Sequence, residues 1–341
     1  MNRSKIEWCD HTWNPITGCF FVCPYCYART MANRFSGNVR KNKMAKDSYE
    51  AIKLGSKELY VLDKPMKNET GSILTYPFGY EPTLHRYRLD YPEKLKMGNN
   101  IFVGAMADVF GPWVPEEWIL EIFQVCEEHP KHNYMFLTKN PGRYLELEKK
   151  GLLPDQTNMW YGFSYTNNDC QIWEDMDGDK NRFVSVEPIL EDLELFDETV
   201  LNPVAKWVII GAETGKNRNK VVPEKAWVDK ILCHCDRFQI PVFMKDSMIS
   251  IVGEKYMRRE FPKELERKEI SEKMKDKLFD NCCDCGAYLR KNQMVTLTAR
   301  YGRGTQPKNF CYLCPDCFER FCTEHGIEIP RLSYVEEKNE K

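Results

Sequence analysis

The sequence predicts an α/β protein, a (β/α) barrel that is partial or complete, followed by a small cysteine-rich module. Three observations carry this. Short β-rich apolar runs alternate with helical patterns through the first 250 residues, and strand–helix–strand repeated this often implies parallel βα units. Several runs are apolar throughout, as expected of strands covered on their outer face by helices. Ten of the fifteen cysteines fall in two tight groups, one at 19, 23 and 26 and one between 282 and 322.

Eight strands are expected in order: one around Thr12–Thr17, then Ser72–Pro77, Ile101–Ala107, Tyr134–Thr138, Trp160–Tyr165, Phe183–Glu187, Trp207–Ala212 and Pro241–Lys245. Between the third and fourth, Pro115 suits a first helical position. Trp118, Ile119, Ile122, Phe123 and Cys126 then form one apolar face. Pro141 opens the next helix and Gly151 closes it. Barrel chemistry sits at the C-terminal ends of the strands. The charged residues there are Asp108, Lys139, Glu187 and Glu213, with Lys245 after the last strand. Each can equally cap a helix or close an internal salt bridge, but five on one rim are harder to explain that way. The expected boundaries are a barrel domain over 1–253, a charged helical linker over 254–280, a metal-binding module over 281–330 and a tail over 331–341.

Hydrophobic residues make up 42% and aromatics 13%, enough for a packed core. The net charge of −2 gives no global pull toward nucleic acid or an anionic membrane. Locally, residues 29–67 hold ten Lys/Arg against four Asp/Glu, which reads as a basic face for nucleic acid or as a solvated helical region. The N-terminus has no apolar h-region, and no stretch approaches the ~18 apolar residues of a membrane span. The chain therefore reads as cytoplasmic, where fifteen cysteines point to ligation rather than disulfides. Cys9, Cys126, Cys170, Cys233 and Cys235 are scattered and read as packed thiols.

The first group lies in "GCFFVCPYCYARTMANRF", residues 18–35. Cys19, Cys23 and Cys26 stand at C-x3-C-x2-C, and Tyr27 follows. A structural zinc site takes four ligands. Three thiolates on one loop can instead ligate three irons of a [4Fe–4S] cluster and leave the fourth iron open. Part of a zinc knuckle also fits the spacing, although no fourth cysteine is close and His11 is a weak candidate.

This spacing, with the aromatic Tyr25 before the third cysteine, resembles the radical S-adenosylmethionine (SAM) superfamily. The resemblance implies a barrel whose open iron chelates SAM. Reductive cleavage then gives methionine and a 5′-deoxyadenosyl radical that abstracts hydrogen from substrate. Gly79-Tyr80-Glu81-Pro82 resembles the superfamily's Gly-Gly-Glu-Pro motif, which contacts the methionyl amino group; here Tyr80 replaces the second glycine. "SKIEWCDHTWNPITGC", "IFVGAMADVF", "FLTKNPGRY", "RFVSVEPIL" and "WVIIGAETG" further resemble a phage- and mobile-element-associated branch of unknown function. That branch often has a longer gap between the first two cysteines, whereas this chain keeps the standard spacing. The resemblance implies roles for rim residues: Asp108 and Glu187 toward ribose hydroxyls or substrate, Lys139 toward the SAM carboxylate, and Glu213 and Thr214 toward adenosine or substrate. As partners it implies a reductant such as a flavodoxin or ferredoxin and a second radical SAM protein.

The second group contains Cys282-Cys283-Asp284-Cys285-Gly286 and Cys311-x2-Cys314-Pro315-Asp316-Cys317. Two C-x2-C pairs predict a four-thiolate zinc site of Cys282, Cys285, Cys314 and Cys317. "MVTLTARYGRG" between them reads as a hairpin, so the module resembles a zinc ribbon or treble clef. Cys283, Cys311, Cys322 and His325 are left over, and an auxiliary iron–sulfur cluster is the alternative. Two functions are thus in play: a radical SAM enzyme, or a non-catalytic zinc-stabilised nucleic-acid-binding protein. The substrate stays open among nucleic acid, peptide and small molecule.

Overall fold

The computed structural model describes residues 2–173, 180–215, 220–266, 279–281, 288–290, 295–299, 308–313 and 315–326. Its chain divides into two compact units, Met1–Leu265 and Glu266–Lys341.

The first unit is built on an eight-stranded sheet. Its strands are β1 (Asn2–Arg3), β2 (His11–Trp13), β7 (Asn100–Val103), β8 (Asn133–Thr138), β9 (Met159–Ser164), β10 (Asn181–Val186), β11 (Trp207–Ile210) and β12 (Val242–Met244). They lie side by side in the order β1-β2-β7-β8-β9-β10-β11-β12. Only β1 runs antiparallel; the other seven are parallel. From β7 to β12 the sequence order is also the spatial order. Crossovers of one hand then bring every connecting helix to one face of the sheet.

Those helices are α3 (Glu116–Glu128), α4 (Gly142–Lys149) and α5 (Lys225–Arg237). The apolar face expected for α3 is buried in full, and Pro115 serves as its N-cap, one position earlier than expected. Against the helices pack the outward residues of the strands, among them Ile101, Val103, Tyr134, Phe136, Tyr161, Val184 and Ile210. The alternate residues Phe102, Met135, Trp160, Phe183, Trp207 and Phe243 form a second core on the inner face, with Trp8 and Leu265. Among the described residues β12 pairs with β11 and, through Phe243, with Arg259, not with β2. The architecture is therefore an open, seven-stranded parallel half-barrel.

The strand expected around Thr12–Thr17 is split. β2 stays in the half-barrel, while β3 (Ile16–Thr17) enters a second, four-stranded sheet. The expected strand Ser72–Pro77 is not formed. Ile73 is 57% exposed and pairs with Lys67 in an isolated bridge; Leu74 and Tyr76 are half-buried against the neighbouring cores, but the run joins no strand ladder. The second sheet instead uses β4 (Glu50–Leu54), β5 (Lys57–Leu62) and β6 (Thr83–His85), in the order β3-β6-β5-β4. Leu62 and Tyr60 of β5 are buried with Phe78, whose ring stacks on Tyr60 at 4.0 Å. The basic stretch 29–67 thus spans α1 (Tyr27–Arg34), α2 (Val39–Met44) and the β4–β5 hairpin.

Residues 254–265, expected to begin a solvated linker, close the sheet instead. Met244 N–H donates to the Arg258 carbonyl (2.8 Å), Glu260 N–H donates to the Val242 carbonyl (3.0 Å), and Leu265 is buried in the inner core with Phe261 packed against it. Apolar residues interspersed among the charges explain this: Phe261 and Leu265 pack into the inner core and Met257 against the outer one, while Tyr256 stays exposed.

In the second unit Phe279–Asn281 pairs with Tyr288–Arg290, and Val295–Ala299 pairs with Lys308–Leu313, both antiparallel. A helix follows at Pro315–Glu324, with Cys317 and Cys322 buried. Of the predicted zinc ligands, Cys282, Cys285 and Cys314 lie outside the described residues. Among the described residues no helix is long and apolar enough to cross a membrane.

A Cβ on Gly162 would lie 2.3 Å from the Phe183 ring, its inner-face neighbour on β10. Gly162→Ala is expected to cost about 1–3 kcal/mol in urea unfolding. His132 is fully buried; its Nδ1 accepts from Asn99 N–H (3.2 Å), which leaves Nε2–H to donate to the Pro92 carbonyl (3.0 Å). Burial lowers its pKa to about 4. As pH falls from about 6.5 toward 4, the unfolded chain takes up a proton that the folded chain refuses. Stability should drop over that window by on the order of 1–3 kcal/mol more in the wild type than in His132→Gln.

Candidate functional site

The chain reaches the rim of the half-barrel through a turn fixed at both ends. Asn14 Oδ1 accepts from Met106 N–H at 2.9 Å, and Gly18 N–H donates to the Met106 carbonyl at 2.9 Å. Gly18 has φ +87°, and a Cβ there would lie 2.3 Å from the Glu81 carbonyl oxygen. Only glycine permits that approach. Cys19 N–H then donates to the Tyr80 carbonyl at 3.1 Å. The cysteine loop is thereby seated between the C-terminal end of β7 and the Gly79–Pro82 turn.

Cys26 caps α1, its sulfur accepting from Arg29 N–H at 3.4 Å. The Arg29 guanidinium donates to the carbonyls of Phe21 (2.7 Å) and Cys19 (3.4 Å) and lies 4.8 Å over the Tyr80 ring. Tyr80 in turn places its hydroxyl 3.4 Å from the Cys26 sulfur. The tyrosine standing where the resembling motif has glycine therefore closes over the loop. Phe20 and Phe21 pack edge-on against Trp113.

Burial pushes the Cys19 thiol up to about 12, and Asp108 and the other two thiols add to the shift. Cys23 is raised by burial too, with the Lys139 ammonium opposing. Cys19 and Cys23, raised chiefly by burial, become thiolates readily only when a cationic centre binds them. Among the described residues no three His, Cys, Asp or Glu side chains are grouped tightly enough for one metal ion. Three soft thiols on one loop, one of them capping α1, with Arg29 and Lys139 nearby, are a donor set of the kind that three irons of a [4Fe–4S] cluster take.

Asp108 is buried and fully engaged. It accepts from the Thr138 hydroxyl (2.7 Å), Lys139 N–H (2.9 Å) and Phe110 N–H (3.1 Å). Burial raises its pKa against those hydrogen bonds. Its carboxylate joins the ends of β7 and β8. Lys139 extends to the cysteine loop: its ammonium donates to Tyr25 Oη at 3.0 Å, and that oxygen is 3.4 Å from Thr166 Oγ1. Burial works against the Lys139 charge, but Tyr25 and the thiols of Cys23 and Cys170 more than offset it.

Glu187 and Lys245 form an ion pair. Gly211 makes room for it, since a Cβ there would meet Glu187 Cγ and Lys245 Cδ at 3.3 Å. Glu213 is buried after β11 and Thr214 beside it is exposed. Glu81 pairs with Lys43 of α2 at 2.7 Å. Cys19, Cys23, Cys26, Tyr25, Tyr80, Lys139 and Asp108 thus come together, while Glu187 is neutralised by Lys245 and Glu81 by Lys43. Sequence reasoning missed Arg29, Thr166 and Lys43. Arg29, three residues after Cys26 in the first turn of a helix, was the legible one.

Fold and site define an α/β parallel half-barrel protein with an open three-cysteine loop at its C-terminal rim. The chain belongs to the DUF5131 family, described as a protein of unknown function, whose model matches residues 3–281. No curated protein matches it. A solved structure, a spore photoproduct lyase with one cysteine mutated to serine, is similar over 95% of this chain and 73% of that chain, with a TM-score of 0.37 and 11% identity. A likeness that weak carries no argument about fold or function.

Asp108→Asn puts an amide N–H where a carboxylate oxygen accepts at least one hydrogen bond, that of Lys139 N–H on Oδ2 or those of Phe110 N–H and the Thr138 hydroxyl on Oδ1. It should destabilise the protein by about 1–3 kcal/mol in urea unfolding, because buried donors lose their acceptor.

Proposed function

We propose that the chain is a radical SAM enzyme. One observation carries the reading: three cysteines on one loop at the C-terminal rim of a parallel half-barrel, with Cys19 bonded to the Gly79–Pro82 turn. Cys19, Cys23 and Cys26 would hold a [4Fe–4S] cluster, and the Gly79-Tyr80-Glu81-Pro82 turn would take the methionyl end of SAM. Bound together, cluster and SAM supply a one-electron reductive cleavage that generates a 5′-deoxyadenosyl radical.

The chain's own residues do the rest. The N-terminus of α1 and the Arg29 guanidinium favour negative charge at Cys26 and along the loop. Phe20, Phe21 and Trp113 exclude water from one side. Lys139, aimed by Asp108 and held on Tyr25, offers a cation to a carboxylate. Asp108 is on this reading a positioning residue rather than a substrate contact. Glu81 has to exchange Lys43 for a ligand ammonium. The paired C-x2-C spacings support a zinc-ribbon or treble-clef reading of the second unit, closed by Cys282, Cys285, Cys314 and Cys317.

Anaerobic reconstitution should give about four irons per chain at the first cysteine group, and 5′-deoxyadenosine should form with SAM and a reductant. Cys19→Ser, Cys23→Ser and Cys26→Ser should each abolish both the cluster absorbance and the nucleoside product. A colourless wild-type protein that binds only zinc under these conditions ends the reading.

A further inference from the structure

The helix that Cys26 caps carries on its solvent side a stripe that its own fold leaves uncovered. Tyr27, Met31, Arg34 and Phe35 fall at i, i+4, i+7 and i+8; Met31, Arg34 and Phe35 are exposed, Phe35 by 50%, while Tyr27 is exposed in part and donates its buried hydroxyl to the Ala105 carbonyl at 3.0 Å. Ala28 and Ala32, on the adjoining side, are buried. Five of the thirteen exposed large apolar side chains among the described residues lie between Val22 and Met44, with Val22 at 86% and Met44 at 76%. Scattered exposed apolar residues need no explanation, but a concentration of them marks an interaction site.

The charge is equally one-sided. From residue 11 to 46 there is no Asp or Glu, and there are six Lys/Arg. Lys41 and Lys43 are paired with Glu69 and Glu81. Arg34 and Arg40 are the exposed guanidiniums of the segment. Aromatic residues, methionine and arginine are the types enriched at the centre of protein interfaces. Binding of a phosphate backbone would instead call for a track of lysines and arginines with stacking rings along it. A second copy of this face would bring like charges together.

We infer that the exposed face of α1, with Arg40 of α2, is the docking surface for an acidic protein that carries a one-electron redox centre. This rests on the radical SAM reading, which requires an electron at the cysteine loop. Val22 stands between Cys19 and Cys23 and is the most exposed apolar residue of the segment, so the loop reaches the surface beside the stripe. A donor on this face sits next to the thiols, whereas one at the opposite end faces the layer of Trp8, Trp160 and Trp207.

The test uses the full-length protein and an acidic flavodoxin as probe. Binding should weaken about tenfold between low and moderately high salt. At low salt it should fall about tenfold or more in Arg34→Glu/Arg40→Glu and in Met31→Ser/Phe35→Ser. Reduced methyl viologen, a small cation that needs no docking, should bleach the cluster of both variants at the wild-type rate. Flavodoxin binding that neither variant changes overturns the proposal. So does single-stranded DNA binding lost in both variants while flavodoxin binding persists, or self-association that both variants abolish. A wild-type chain that takes up no iron sinks the radical SAM reading and with it the electron-donor role. The binding arm, which needs no cluster, then still decides whether an acidic protein docks on this face.

Discussion

Seven parallel strands laid down in sequence order place one constraint on everything else. Every crossover helix goes to the same face, so the inner face must be filled without helices. The chain fills it at one end only. Phe102, Met135, Trp160, Phe183, Trp207 and Phe243 form a layer there, closed by Trp8 and Leu265. Further along β9 and β10 the inward positions become small or polar, Gly162, Ser164 and Ser185, while Leu137 on β8 and Ile209 on β11 stay apolar. Beyond them come Lys139, Glu187 and Lys245. The period of two that builds the aromatic layer therefore also delivers charge to the opposite rim, and β2, continuing through β3, delivers the cysteine loop to that same rim.

Much of this could be read in the sequence, because it rests on local patterns. Apolar runs such as "YMFLT" and "WVIIGA" bury both faces and identify themselves wherever they occur. The apolar stripe of α3 is a direct consequence of the 3.6-residue period. The failure at Ser72–Pro77 is instructive. "SILTYP" has strand-like composition, but the second sheet has already taken β5, which buries Tyr60 and Leu62 against Phe78 and Leu59 and Val61 in the main core. A signal for that hairpin was available: Gly55-Ser56 is a two-residue turn between charged, strand-like segments. Charge on both flanks concealed it, because β4 is an edge strand with mostly exposed side chains.

The site was legible in its donors and not in their partners. C-x3-C-x2-C is a local spacing, so three thiols on one loop follow from it. Lys139 reaching Tyr25 spans 114 residues, and Glu187 meeting Lys245 spans 58. No periodicity encodes such pairs; they exist because the sheet brings distant strand ends to one rim. The same holds for Tyr80, whose place in the turn looked like a defect in the motif. It is a contact of both Arg29 and Cys26.

These partnerships change which rim charges are available to a ligand. Glu187 and Lys245 satisfy each other, and Asp108 has three donors, so bringing either to a ligand would break buried or half-buried bonds. Lys139 differs, because its partner is a phenol rather than a carboxylate. Its charge is held in place without being cancelled. An anionic group arriving there would gain an ion pair without displacing one. The polar chemistry of the rim therefore concentrates on Lys139, Tyr25 and Thr166, directly beside the cysteine loop. On the proposed radical SAM reading, in which a bound cofactor would supply the reactivity, the chain needs little more of its own side chains than this: a fixed cation, a wall of aromatic rings and a loop held at a set height.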